Sequence, residues 1–171
     1  MKGSYKHIGN TDCLNLIKLV SKHTVADWNK YDFRQKRYTV HTETTTLAIL
    51  YDKNYSRNMG IESEWYPIYK EEILRIEKQL QSIYKSNGKI IRFVVVNLPA
   101  GKEVPKHRDA TLAEDEDVAS LKVDSRIHLP IKTNKDVHFG IGDAIVHMNV
   151  GELWEINNHY HWHFRTKQLL K

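Results

Sequence analysis

Cysteine is nearly absent: among 171 residues there is one, Cys13. A single thiol excludes an internal disulfide framework and fits a reducing compartment, so a cytoplasmic location is the expectation. Long apolar runs are missing as well. Nothing approaches the roughly 20 residues that a membrane span needs, and the opening MKGSYKHIGN has no apolar stretch of the kind a signal peptide carries. Charge of one sign is not concentrated either. The 26 Lys and Arg against 21 Asp and Glu give a net charge of +5, but the cations are scattered among acids. No basic run emerges, which argues against a nucleic-acid-binding module. No internal repeat or domain boundary is visible, and the length suits one domain spanning 1–171.

What is present is ordinary for a globular chain, with 40% hydrophobic and 27% charged residues. Histidine is the exception, at ten. Five of them, His138, His147, His159, His161 and His163, lie in the last quarter, where metal ligands are worth seeking.

Near the start, Asp12 is positioned to cap a helix through Leu14, Leu16, Ile17, Leu19 and Val20. Trp28, Tyr31 and Phe33 then fall in a polar loop. Tyr38 to His41 and Thr44 to Leu50 are β-branched and apolar and read as strands. After a polar loop from Asp52 to Ser63, Pro67 opens the clearest helix. Tyr69, Ile73, Ile76, Leu80 and Ile83 form one apolar stripe, and Lys70, Glu71, Arg75, Glu77, Lys78 and Gln81 form a solvated face. Asn87-Gly88 should end it with a residue at positive φ.

Beyond Lys89 the pattern turns to short strands broken by turns. Ile90 to Leu98, Ser125 to Ile131, Val137 to Ile141, Ala144 to Met148 and Leu153 to Ile156 all read as strands. Such spacing suggests a sandwich or barrel with the helices packed on one side. Thr111 to Asp124, rich in acids and without periodicity, reads as a surface loop.

The triplet His107-Arg108-Asp109 carries the chemistry. In a strand or its exit, residues i and i+2 point to one face, so an imidazole and a carboxylate there can share a metal ion. A third ligand from a distant strand would complete a facial triad with open positions, a hard nitrogen-and-oxygen set that suits Fe(II) better than structural zinc. Taken alone, the triplet is weak evidence and is more often the mark of an ion pair between Asp109 and Arg108 or a lysine.

Four ordered pieces narrow the choice. Phe33-Arg34-Gln35 with Val40-His41 and Thr44 comes first, then the stretch from Leu98-Pro99-Ala100-Gly101 to His107-Arg108-Asp109. Arg126-Ile127-His128-Leu129-Pro130-Ile131-Lys132-Thr133-Asn134 follows, and Gly151-Glu152-Leu153-Trp154-Glu155-Ile156-Asn157-Asn158 closes the series. Together they resemble the aspartyl/asparaginyl β-hydroxylases in their short form, over about Tyr31 to His163.

The resemblance implies a double-stranded β-helix (jelly-roll, cupin-like), mainly β with flanking helices. It also implies a hydroxylase using Fe(II), 2-oxoglutarate and O2 on an Asp- or Asn-type side chain of a peptide or small molecule. His107 and Asp109 then become metal ligands, with the distal ligand at His163 or, as the alternative, His161. The spacing most typical of the family falls between them, on Trp162. Arg126 and His128, two apart on one strand face, become cosubstrate-binding residues, the planar guanidinium suiting a carboxylate that it grips at two points. The family usually carries a further strand with an arginine for the far carboxylate, and Arg165 is the residue here that can substitute. The competing expectation is a cupin-like ligand-binding protein without catalysis, derived from such an oxygenase. The HxD triplet argues against it, because a pure binder has no use for a metal triad.

Overall fold

A computed structural model describes residues 5–52, 60–107, 125–141 and 143–156, together with the backbone of 162–166. The chain opens with strand β1 (Tyr5–Asn10) and helix α1 (Leu14–Val20). Two short helices, α2 (Val25–Lys30) and α3 (Phe33–Arg37), lead through a 3-10 turn at Thr39–His41 into strand β2 (Thr45–Leu50). The long helix α4 (Tyr66–Tyr84) follows. The remaining elements are strands: β3 (Phe93–Asn97), β4 (Glu103–His107), β5 (Arg126–His128), β6 (Val137–Ile141), β7 (Ala144–Val146), β8 (Glu152–Ile156) and β9 (Trp162–Thr166).

Helix α4 begins where Pro67 costs nothing, since the first-turn N–H groups have no helical partner. Its apolar stripe buries Tyr69, Ile73 and Ile76 against Leu47 and Ile49 of β2, Val95 of β3, and Cys13 and Leu16 at the start of α1. The helix stops earlier than Asn87-Gly88 suggested: Lys85 takes the left-handed conformation, with φ of 50°. Arg75 departs from the expected solvated face. Its guanidinium donates to Thr11 Oγ1 at 2.8 Å and to the Asp12 carbonyl at 2.5 Å while pairing with buried Glu72 at 2.8 Å. These bonds tie α4 to the entry of α1. There Asp12 Oδ1 accepts the Leu14 N–H at 2.9 Å from just outside the Cys13 cap position.

Three further expectations are corrected. Trp28 and Phe33 lie in α2 and α3, not in a loop. Thr24 and Asp27 start α2 with reciprocal side-chain-to-backbone bonds of 3.3 and 2.8 Å, a signal that outweighs the polar composition. Tyr38 to His41 turns as a 3-10 segment, closed by the His41 N–H on the Tyr38 carbonyl at 3.0 Å. Strand β5 is also shorter than Ser125 to Ile131, because Pro130 offers no N–H to a ladder.

The strands make three antiparallel sheets, ordered β1-β8-β5, β2-β3 and β4-β9-β6-β7. Val104, Phe139 and Ile141 of the four-stranded sheet pack with Ile156, Tyr5 and Trp154 of the three-stranded one, so these two sheets share a core. The turn into β8 depends on Gly151, at φ of 84°, where a Cβ would fall 2.8 Å from the Thr11 carbonyl. The architecture is therefore mixed helix and strand, with small antiparallel sheets and no closed barrel among the described residues. Among those residues no helix is long and apolar enough to cross a membrane. The acidic stretch from Thr111 to Asp124 lies outside them.

The cap and the core carry separable expectations. Lys85→Gly should raise stability by up to about 1 kcal/mol, because glycine adopts positive φ without a Cβ penalty. Ile73→Ala should lower it by about 2–5 kcal/mol through the cavity it leaves. Urea unfolding of both variants checks this, and a destabilised Lys85→Gly would contradict the left-handed cap.

Candidate functional site

Strand β5 carries Arg126 and His128 two residues apart, hence on one of its faces, and pairs with β8 through Arg126 opposite Ile156 and His128 opposite Trp154. The His128 ring meets Phe139 of β6 edge-on, with centroids 4.9 Å apart. Although the residue is only half-buried over its whole surface, its ring is enclosed. Burial first, then the Arg126 and Arg34 charges, push this imidazole down to about 3.

His107 closes β4. Its Nδ1 lies 2.7 Å from the Pro105 carbonyl oxygen. A carbonyl only accepts, so Nδ1 carries the proton and Nε2 keeps its lone pair. Metal-ligating imidazoles are commonly set in this way, with the second nitrogen donating to a backbone carbonyl. Burial holds His107 below its ordinary value, the Pro105 hydrogen bond opposes this, and the Arg126 and Arg34 charges add to it. The ring is neutral at physiological pH, as a ligand must be.

The third wall comes from early in the chain. Arg34 on α3 is 8% exposed and His41 on the 3-10 turn is 6% exposed. Arg34 Nη2 donates to His41 Nε2 at 3.2 Å, and Nη1 donates to Thr46 Oγ1 of β2 at 3.3 Å. Gln35 braces the same corner through the Thr44 carbonyl at 3.0 Å and Thr46 Oγ1 at 3.2 Å. The His41 ring stands at 90° to that of His107, with centroids 5.6 Å apart. Burial, then Arg34, His107 and Arg126, push His41 down to about 3.

Three neutral imidazoles and two guanidinium groups are thus gathered from four elements. Such a set suits a metal ion on an imidazole lone pair and an acidic ligand on the cations. Of the residues expected from sequence, His107, Arg126 and His128 meet here. Asp109 and His161 lie outside the described residues, as do the side chains of His163 and Arg165. The backbone of β9 sets Trp162 opposite His107, His163 opposite Gly140, and Arg165 between Glu103 and His138. Among the described residues no three His, Cys, Asp or Glu side chains converge as a metal site. His147 lies apart and donates from Nδ1 to the Val137 carbonyl at 2.8 Å. Arg34 and His41 were quoted in the first motif without a role. Their signal is that both are polar and neighbour a β-branched run that the fold buries.

A strand that ends on His107, a cationic Arg-x-His strand and flanking helices define a class, and comparison supplies its name. The sequence model of the aspartyl/asparaginyl beta-hydroxylase family matches residues 68–168, more than half of the chain. The chain belongs to this family. Comparison with the curated proteins finds no match. Arg34 and His41 lie ahead of the matched stretch, yet the fold brings them against it.

The two depressed imidazoles make stability depend on pH. His41 and His128 have folded values of about 3 against 6.5 for the free side chain. Below about 6.5 the unfolded chain takes up protons that the folded protein refuses, so stability is complete above that pH and is lost progressively toward 3. Each group contributes on the order of a few kcal/mol across this window. Urea midpoints between pH 7 and 4 should fall less steeply in His128→Phe than in the parent. Identical slopes would show that His128 is not buried as a neutral ring.

Proposed function

We propose that this protein is an Fe(II)- and 2-oxoglutarate-dependent oxygenase that hydroxylates an Asp- or Asn-type side chain in a peptide or small molecule. Its frame is read as one double-stranded β-helix domain spanning 1–171. The observation that carries the proposal is the fixed tautomer of His107, with an unprotonated Nε2 beside the Arg126 and Arg34 charges. Family membership supports the hydroxylase class.

On this reading His107, Asp109 and His163 hold the iron, with His161 the alternative to His163. Bound iron supplies activation of O2, with 2-oxoglutarate oxidised to succinate and CO2 as one oxygen atom enters the substrate C–H bond. The chain does the rest. The Pro105 carbonyl fixes the orientation of the His107 ring. Arg126 grips a cosubstrate carboxylate with two N–H groups, His128 stays neutral beside it, and Arg165 meets the far carboxylate. Burial of His41 and of the His128 ring keeps water away from the reacting centre.

Anaerobic titration with Fe(II) and 2-oxoglutarate, read by the weak visible band of the chelate, is the direct test. His107→Ala should lose Fe(II) binding while staying folded, with stability changed by no more than about 1 kcal/mol. Arg126→Lys keeps the charge and loses the fork, a contact contributing roughly 1.5–3 kcal/mol, so 2-oxoglutarate affinity should fall about ten- to a hundred-fold. Fe(II) affinity in His107→Ala equal to the parent's would remove the metal assignment.

A second measurement separates the distal candidates. Succinate formation from 2-oxoglutarate should vanish in His163→Ala and only decline in His161→Ala. The opposite pattern would move the ligand to His161, and equally mild effects would mean that neither completes the site.

A further inference from the structure

The reading above uses His41 only to exclude water and gives its ring nitrogens no task. Arg34 can only donate, so the nitrogen facing it, Nε2, must accept. A neutral imidazole has one proton, which therefore sits on Nδ1. That Nδ1 is buried and has no hydrogen-bond partner among the described residues. A buried donor without an acceptor is rare in folded proteins and calls for an explanation. The fold has taken trouble to hold it. Thr44 Oγ1 donates to the His41 carbonyl at 2.8 Å, Gln35 fastens Thr44 to α3, and Arg34 spans from β2 to the ring.

We propose that His41 is a ligand-binding residue whose Nδ1–H donates to a carboxylate oxygen of an organic acid bound beside His107, with Arg34 as the residue that positions it. An anionic acceptor is favoured because the Arg34 and Arg126 charges both act on this ring. The His107 ring stands perpendicular to it at 5.6 Å, so an acid held there neighbours the imidazole assigned to the metal. The identification of that neighbour as a metal ligand rests on the proposed oxygenase reading; the donor itself does not. Two acids could supply the oxygen, the cosubstrate or an acidic substrate, and both present the same carboxylate.

The test uses the chemical difference between two amides. In His41→Asn the side-chain N–H falls near the position of Nδ1, whereas in His41→Gln it falls near Nε2. Calorimetry with 2-oxoglutarate and with N-acetyl-L-aspartate, on the Fe(II)-loaded protein without O2, reads each source separately. The expected result is a loss of tenfold or more for one of the two acids in His41→Gln, a change within about threefold in His41→Asn, and unchanged Fe(II) affinity in both. Equal affinities in parent and both variants overturn the proposal, as does loss of Fe(II) binding. A larger loss in His41→Asn than in His41→Gln also overturns it, since that pattern marks a residue that only braces Arg34.

Nitrogen-15 spectra of the metal-free protein keep the two readings apart. The His41 Nδ1–H resonance should shift when either acid is added, whether or not iron binds, and should give way to mixed tautomers in Arg34→Lys. If Fe(II) fails to bind while this resonance shifts, the oxygenase reading fails and the carboxylate site stands. No shift with either acid overturns the site.

Discussion

A guanidinium group donates hydrogen bonds and accepts none, and Arg34 brings that asymmetry into the interior of this protein. At 8% exposure it reaches Thr46 in one direction and His41 in the other. Burying a cation is costly unless its donors are met, so α3, the 3-10 turn and β2 must keep their places together. Strand β2 makes this possible because it is buried on both faces. Leu47 and Ile49 face the apolar core with α4, while Thr46 and Ala48 face α3 and its aromatic neighbours.

The same cations shape the electrostatics of the whole cluster. Burial alone would discourage protonation of His41, His107 and His128, and the nearby guanidinium charges push in the same direction. On the proposed reading, the result serves two needs at once. Imidazole lone pairs stay available for a metal ion, and positive charge stays available for an acid. Were the positive charge carried by protonated histidines, the first need could not be met.

Much of the frame was legible along the chain. The stripe from Tyr69 to Ile83 marked α4, and the turn-punctuated run after Lys89 marked the strands β3 and β5 to β8, though not β4. Where local reading failed, the cause was specific. Helices α2 and α3 are six and five residues long, too short to display a helical period. Arg75 sits where the period predicts solvent, but the entry to α1 folds over it and takes its hydrogen bonds. Lys85 adopts a conformation that glycine would adopt more easily, so the expected Asn-Gly signal pointed beyond the true helix end.

By itself the sequence determined the features that rest on local period and order. Arg126 and His128 fall on one face because strands alternate every two residues, and four ordered motifs place the chain among the aspartyl/asparaginyl β-hydroxylases. Only the tertiary structure decided which nitrogen of each imidazole holds its proton. That choice belongs to the group each ring meets, the Pro105 carbonyl for His107 and the Arg34 guanidinium for His41. The meeting of His41 with His107 joins segments far apart in the chain, and no local period encodes it. Packing around β2 does, by burying a polar corner that must find its partners inside the protein.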